Sequence, residues 1–263
     1  MGSATTQALE ASTAALTGAA GVDLDVAREL FAAGRAIAES PQLGGALADS
    51  AAPAEARAKV VADVFGRSLK PATVSLLTTV AAQRWSTASD LLDGVEELAV
   101  RAAALSGSDA DVEAELFAFS RTVAQNPELE LALGSRLGDA SAKGALVETL
   151  LGQRASAPTT LIVSSLVQQP RERRVRALLN RAIRLVSDQR GRAVATVVSA
   201  VALGDAQRER LASALSAKYG TQISLNVVVD PAVVGGLRVQ IADDVIDASI
   251  STRLADLRQR LAG

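Results

Sequence analysis

Residues 115–133, ELFAFSRTVAQNPELELAL, echo an earlier stretch at residues 29–47, ELFAAGRAIAESPQLGGAL. Set at a constant offset, residues 29–66 and 115–152 need no gap, and about 14 of the 38 positions are identical. Matches among Ala and Leu come cheaply in this composition. Phe31/Phe117, Arg35/Arg121, Pro41/Pro127 and Leu43/Leu129 in register do not. A repeated phrase confines the chain to architectures built from related units. It suits a holding surface or a spacer better than an active site, whose groups converge once.

The repeated unit reads as helical. Val26, Leu30, Phe31, Gly34 and Ile37 share one face at helical spacing, as do Val112, Leu116, Phe117, Ser120 and Val123. Pro41 and Pro127 are expected to close those helices, and Pro53 to sit in the first turn of the next one. Val60, Val61, Val64 and Phe65 then form an apolar face ending at Gly66, matched by Leu146, Val147, Leu150 and Leu151 ending at Gly152. Thr87 and Asp90 can form a capping box ahead of Leu91, Leu92, Val95 and Leu98. Ser106-Gly107-Ser108 reads as a short linker between the copies. Beyond them, from Pro71 and from Pro158, the two copies share a pattern but align loosely.

Composition supports helix on helix. Hydrophobic residues make up 49% of the chain and aromatic ones 2%, so Ala, Leu and Val must fill the cores. The chain has no histidine and no cysteine, which excludes Ser-His-Asp and Cys-His catalysis, thiolate chemistry and the usual zinc sites. It can form no disulfide, which fits a reducing compartment. A net charge of -2 argues against a whole-chain nucleic-acid binder. The start, MGSATTQALEAS, lacks a signal-peptide pattern, and the most apolar run, residues 193–203, is too short to span a membrane.

After Gly191 the character changes. RAVATVVSAVAL is too rich in β-branched residues for a comfortable helix and reads as a strand. Asp205 is expected to cap an amphipathic helix with Leu211 and Leu215 inward, stopped near Gly220. ISLNVVVD and GLRVQI read as further strands, with Asp243-Asp244 marking a turn. A final helix carries Ile250, Leu254, Leu257 and Leu261. The expected architecture is mainly α: two related helical-bundle units, residues 1–106 and 107–190, followed by a small C-terminal α/β module, residues 191–263.

Three stretches invite chemistry. The arginine-rich segment PRERRVRALLNRAIRLVSDQRGR separates, at roughly 100° per residue, into two arcs. Val175, Leu178, Leu179, Ala182, Ile183 and Val186 fall on one, and Arg173, Arg174, Arg176, Arg181 and Arg184 on the other. This is an amphipathic helix with a basic solvent face, of which Arg173, Arg181 and Arg184 could dock an acidic protein surface. With one Trp and one Tyr there is no aromatic platform for bases. In DPAVVGGLRV the glycines lead into a strand and no Lys-Ser/Thr follows, so a phosphate loop fails on context and a tight backbone approach fits. Asp243, Asp244 and Asp247 suit turn and cap positions better than a metal or acid–base set.

Residues 229–261, VDPAVVGGLRVQIADDVIDASISTRLADLRQRL, closely resemble the C-terminal signature of the ATP synthase delta subunit family. Its mitochondrial counterpart is the oligomycin-sensitivity-conferring protein. The matching residues are Asp230-Pro231, Val234-Gly235-Gly236, Asp244-Val245-Ile246-Asp247, Ser249, Leu254 and Leu257. Upstream, Val198–Leu203 and the helical phrase Asn126–Leu129 also match, so the resemblance runs from about Val112 to the end. Ordinary members carry one N-terminal helical bundle, and this chain has a second related unit ahead of it, as in the elongated actinobacterial form. The family's Tyr-Ala-x-Ala-Leu opening helix has only Gln7-Ala8-Leu9 to answer it. The resemblance implies a non-catalytic stator component without cofactor or metal, at the cytoplasmic face of the bacterial plasma membrane. It implies that the helical part grips alpha-subunit N-terminal helices and the α/β module binds C-terminal helices of the b subunit. The rival class is a free-standing helical adaptor, and a third is an enzyme working through its aspartates.

Overall fold

Pro41 and Pro127 each stop one helix and start another. Helix α2 (Leu24–Glu39) ends at Ser40, whose hydroxyl then accepts the amide of Leu43 at 3.3 Å and caps α3 (Pro41–Ala48). In the second copy α7 (Val112–Gln125) gives way at Asn126 to α8 (Pro127–Gly134). Proline at the first helical position loses nothing, because that N–H has no intrahelical partner. The stop is legible in the sequence. The restart is an addition the structure makes.

The computed structural model describes residues 2–107, 110–135, 138–233, 235–241 and 244–247. They form two compact units, Met1–Val186 and Ser187–Gly263. The first holds α1 (Ser3–Gly18), α2, α3, α4 (Ala54–Phe65), α5 (Pro71–Ala82), α6 (Ala88–Ser106), α7, α8, α9 (Ala140–Leu151), α10 (Ala157–Gln168) and most of α11 (Val175–Gln189). Pro53 stands one residue ahead of α4, as its N-cap, rather than in its first turn.

The duplication is written in hydrogen bonds as well as letters. Glu29 accepts the amide of Lys70 at 2.9 Å and the hydroxyl of Thr73 at 2.5 Å. At the same offset as the sequence echo, Glu115 accepts the amide of Ser156 at 3.0 Å and the hydroxyl of Thr159 at 2.5 Å. Each carboxylate thus closes the N-terminus of α5 or α10, where unpaired amides and the helix dipole favour a negative charge. In the loosely aligned downstream halves the prolines slip by one, Pro71 opening α5 and Pro158 following Ala157 in α10.

Burial pulls the Glu115 carboxyl upward, but its bonds to Ser156 and Thr159 outweigh that and hold it below the ordinary value. A depressed folded-state value contributes stability that is present above the unfolded-state value and lost as pH falls through the folded one. Glu115→Gln is therefore expected to be less stable than the parent at pH 7. The gap should narrow as pH drops below about 4.3 and close at lower pH. Urea midpoints measured across that range check it, and a gap that widens on acidification would refute it.

Helix α6 is the axis of the helical unit. Leu91, Val95, Leu98, Ala99, Val100 and Ala102 are buried, but so are Glu97 and Arg101 on another side. A helix covered on nearly every face is a core helix rather than a surface one. It lies against α1, α2, α3 and α5 and also against α10. The cap expected at Thr87 is present, its hydroxyl oxygen accepting the amide of Asp90 at 3.1 Å. Gly94 leaves room for Trp85: a Cβ would meet the indole at 2.3 Å. Trp85 is buried and donates its indole N–H to the Val80 carbonyl at 2.8 Å.

The second unit is built on a four-stranded mixed sheet ordered β2-β1-β3-β4. Strand β1 (Arg192–Ser199) pairs in parallel with β2 (Gln222–Val229) through the crossover helix α12 (Asp205–Tyr219). Strand β3 (Leu237–Ile241) pairs antiparallel with the other edge of β1, and β4 (Asp244–Asp247) antiparallel with β3. Leu215 of α12 is buried with Ala195, Val197, Ile223, Val239 and Ile241, and Leu211 packs against that core. Gly220 ends α12 at φ 69°, the left-handed conformation expected of it. One expectation is corrected and another extended. Gly204, not Asp205, is the N-cap, its amide returned by the Gln207 side chain at 3.0 Å. Asp244 opens a fourth strand, and its antiparallel pairing with Ile241 puts the reversal of the chain where the aspartates mark it.

Candidate docking faces

Of the three arginines marked for docking, two are already docked on the chain itself. Arg173 makes a forked pair with Glu96 at 2.8 and 2.6 Å. Arg181 reaches Asp93 at 3.3 Å and Glu97 at 3.4 Å. Asp93, Glu96 and Glu97 stand on one face of α6, so the acidic surface this basic helix meets belongs to α6. The opposite arc of α11 is buried as expected. Burial pulls the Arg173 guanidinium down, but its bonds to Glu96 and the charge of Asp93 hold it above its usual value. Arg184 points to solvent. Sequence periodicity separates apolar from charged residues, but cannot tell solvent from a buried carboxylate.

The apolar faces near Gly66 and Gly152 are split in the structure. Val61 and Phe65, and likewise Val147 and Leu151, turn inward. Val64 is 49% exposed and Leu146 38%. Residues one position apart on a helix lie about 100° apart, so four apolar residues in two adjacent pairs cannot all enter the core. Around Leu146 and Leu150, Ala142, Ala145 and Thr149 are also exposed, whereas α4 carries Lys59 and Asp63 at the matching positions. The second copy thus presents the less charged face. Leu131 of α8, 74% exposed, adds a further apolar residue on that copy.

The signature motif of the α/β unit is spent on backbone geometry. The link from β2 to β3 must pass over the end of β1, because β1 lies between them. Asp230 begins it: its amide bonds the Ser199 carbonyl at 2.8 Å, and its carboxylate accepts the Ala232 amide at 2.9 Å. Pro231 follows in the turn, and Gly235 and Gly236 bring the chain back at φ 65° and 81°. Those are left-handed conformations that favour glycine. Asp244 accepts the hydroxyl of Tyr219, a bond that holds the phenol above its usual pKa. Asp247 ends β4 opposite Arg238. Asp243, Val234, Ser249, Leu254 and the final leucine seam lie outside the described residues. Among the described residues no cluster of His, Cys, Asp or Glu could hold a metal ion, and no helix is long and apolar enough to cross a membrane. Beside the crossover, Val201, Leu203, Leu211 and Leu237 line an open groove, with Val201 67% exposed.

What the described residues turn outward is apolar contact surface, Leu131, Leu146 and Leu150 on helices and Val201 beside the sheet. Residues 98–261 match the family described as ATP synthase delta (OSCP) subunit. Over all of both chains, the protein is 50% identical to the ATP synthase subunit delta of Leifsonia xyli. It is 43% identical to that of Streptomyces avermitilis over 94% of this chain and 93% of the other. The subunit of Nocardia farcinica is 39% identical over 98% and 97%. The chain belongs to the ATP synthase delta (OSCP) subunit family, whose members are non-catalytic subunits of that complex.

Proposed function

We propose that this chain is a stator subunit of a proton-translocating F-type ATP synthase, joining the catalytic head to the peripheral stalk and resisting the torque of rotation. End-to-end identity of 50% with a subunit delta carries this reading, because it spans the added helical copy as well as the signature module. The helical unit takes N-terminal helices of the alpha subunits, and the α/β unit takes C-terminal helices of the b subunit. The complex places the chain peripherally at the cytoplasmic face of the bacterial plasma membrane. Exposed Leu146, Leu150 and Leu131 supply the kind of apolar anchors an incoming amphipathic helix uses. Arg184 remains a candidate docking residue, and the extra copy either lengthens the connector or adds a second docking surface.

The test is binding with purified parts. The full chain, mixed with the alpha–beta head and with the soluble part of b, is expected to co-elute with each and to bridge them. Arg184→Glu should weaken one of these contacts without unfolding the chain. A folded chain that binds neither head nor stalk would return the adaptor reading to first place.

A further inference from the structure

We infer that the two helical copies are locked into one stiff body, with α6 as a shared helix and a cluster of partly buried charges as the lock. This deepens the stator reading by specifying how the added copy can bear load. Three observations carry it. The first is that α6 packs on the first copy through Leu91 and Val95, which lie with Ile37, Leu47 and Phe65, and on the second through α10. The family match begins at residue 98, inside α6, so the second copy borrows its opening helix from the end of the first.

The second is the charge cluster. Asp93, Glu96 and Glu97 of α6 meet Arg171, Arg173 and Arg181 from the α10–α11 region, and Glu97 also pairs with Arg101 of its own helix. Every side chain in these pairs is 27% exposed or less. Forked, charge-assisted bonds such as Arg173–Glu96 fix orientation as well as distance.

The third is the loop that delivers them. Arg171 and Glu172 stand at φ 44° and 65°, two successive non-glycine residues in the left-handed region. Such backbone persists only where the surroundings over-determine it. Arg171 pairs with Asp93 and Glu96 and lines a small cavity with Leu30, Phe31 and Gly34 of α2. Its side chain reaches from the second copy to the first.

Hydrogen exchange on the isolated full chain tests the lock without ATP synthase, so its failure is distinct from failure of the stator reading. In the parent, the slowest amides of α2 and of α7 and α10 are expected to exchange through one common opening. Asp93→Asn with Glu96→Gln should speed exchange in α7 and α10 by about 10- to 100-fold, the scale of lost charged hydrogen bonds. The buried Trp85 should report an intact first copy. If that pair unfolds the chain, Arg171→Gln alone is measured in the same way. Separate openings in the parent, or unchanged exchange in the folded variant, would overturn the proposal.

Discussion

Glu97→Ala is expected to lower the stability of the helical unit by about 3–5 kcal/mol, the range for breaking a buried ion pair from one side. Glu97 is 7% exposed and Arg101 9%. One oxygen of Glu97 receives two N–H groups of Arg101, at 3.0 and 2.9 Å, and the other lies 3.4 Å from Arg181. Alanine removes that carboxylate and leaves the Arg101 guanidinium deep in the helix packing. The cost comes from leaving a buried guanidinium without this carboxylate, not from the net worth of the pair. Replacing both partners, Glu97→Met with Arg101→Leu, should therefore cost much less than the single change, since no charge is left buried. Urea unfolding followed by Trp85 emission measures both. A single variant within about 1 kcal/mol of the parent, the scale of a surface pair, would show that the pair is solvated in solution.

The helices of the repeated phrase are legible because burial follows the 3.6-residue period. Val26, Leu30, Phe31 and Ile37 are buried in one copy and Val112, Leu116 and Val123 in the other, as their spacing requires. The echo itself foretold more than it was asked for. Glu29 and Glu115 open both quoted segments, yet their role appears only when α5 and α10 return to them more than forty residues later. The same limit hid the lock. Asp93, Glu96 and Glu97 look like solvated residues on an amphipathic helix, and Arg173 and Arg181 like a basic face. Nothing local says that the two faces meet. Strand β4 was missed for a different reason: four residues bounded by aspartates carry too little periodicity to register. The signature Asp230-Pro231 and Gly235-Gly236 stands in the sequence, and the structure supplies its physical cause, a chain that must cross over β1.

Cutting the chain between the copies should show how far packing departs from chain order. The Gly-Ser stretch after Ser106 invites a cut, but α6 immediately before it packs on both sides. A fragment of residues 110–263 keeps α7 to α11 and loses the helix that faces α10 and neutralises Arg171, Arg173 and Arg181. Its helical part is expected to lack a cooperative melt. A fragment of residues 1–107 keeps a complete first copy and should fold with Trp85 buried. Mixed, the two should form a one-to-one complex in which the helicity of the second copy reappears, because α6 then supplies its carboxylates and apolar flank across the break. High salt should weaken that complex only modestly, since screening acts chiefly on exposed charges. Circular dichroism and sedimentation of the separate and mixed fragments measure the outcome. If residues 110–263 melt cooperatively alone and ignore the first fragment, the second copy is self-sufficient, α6 is not shared, and the added unit is a tethered domain rather than part of one stiff arm.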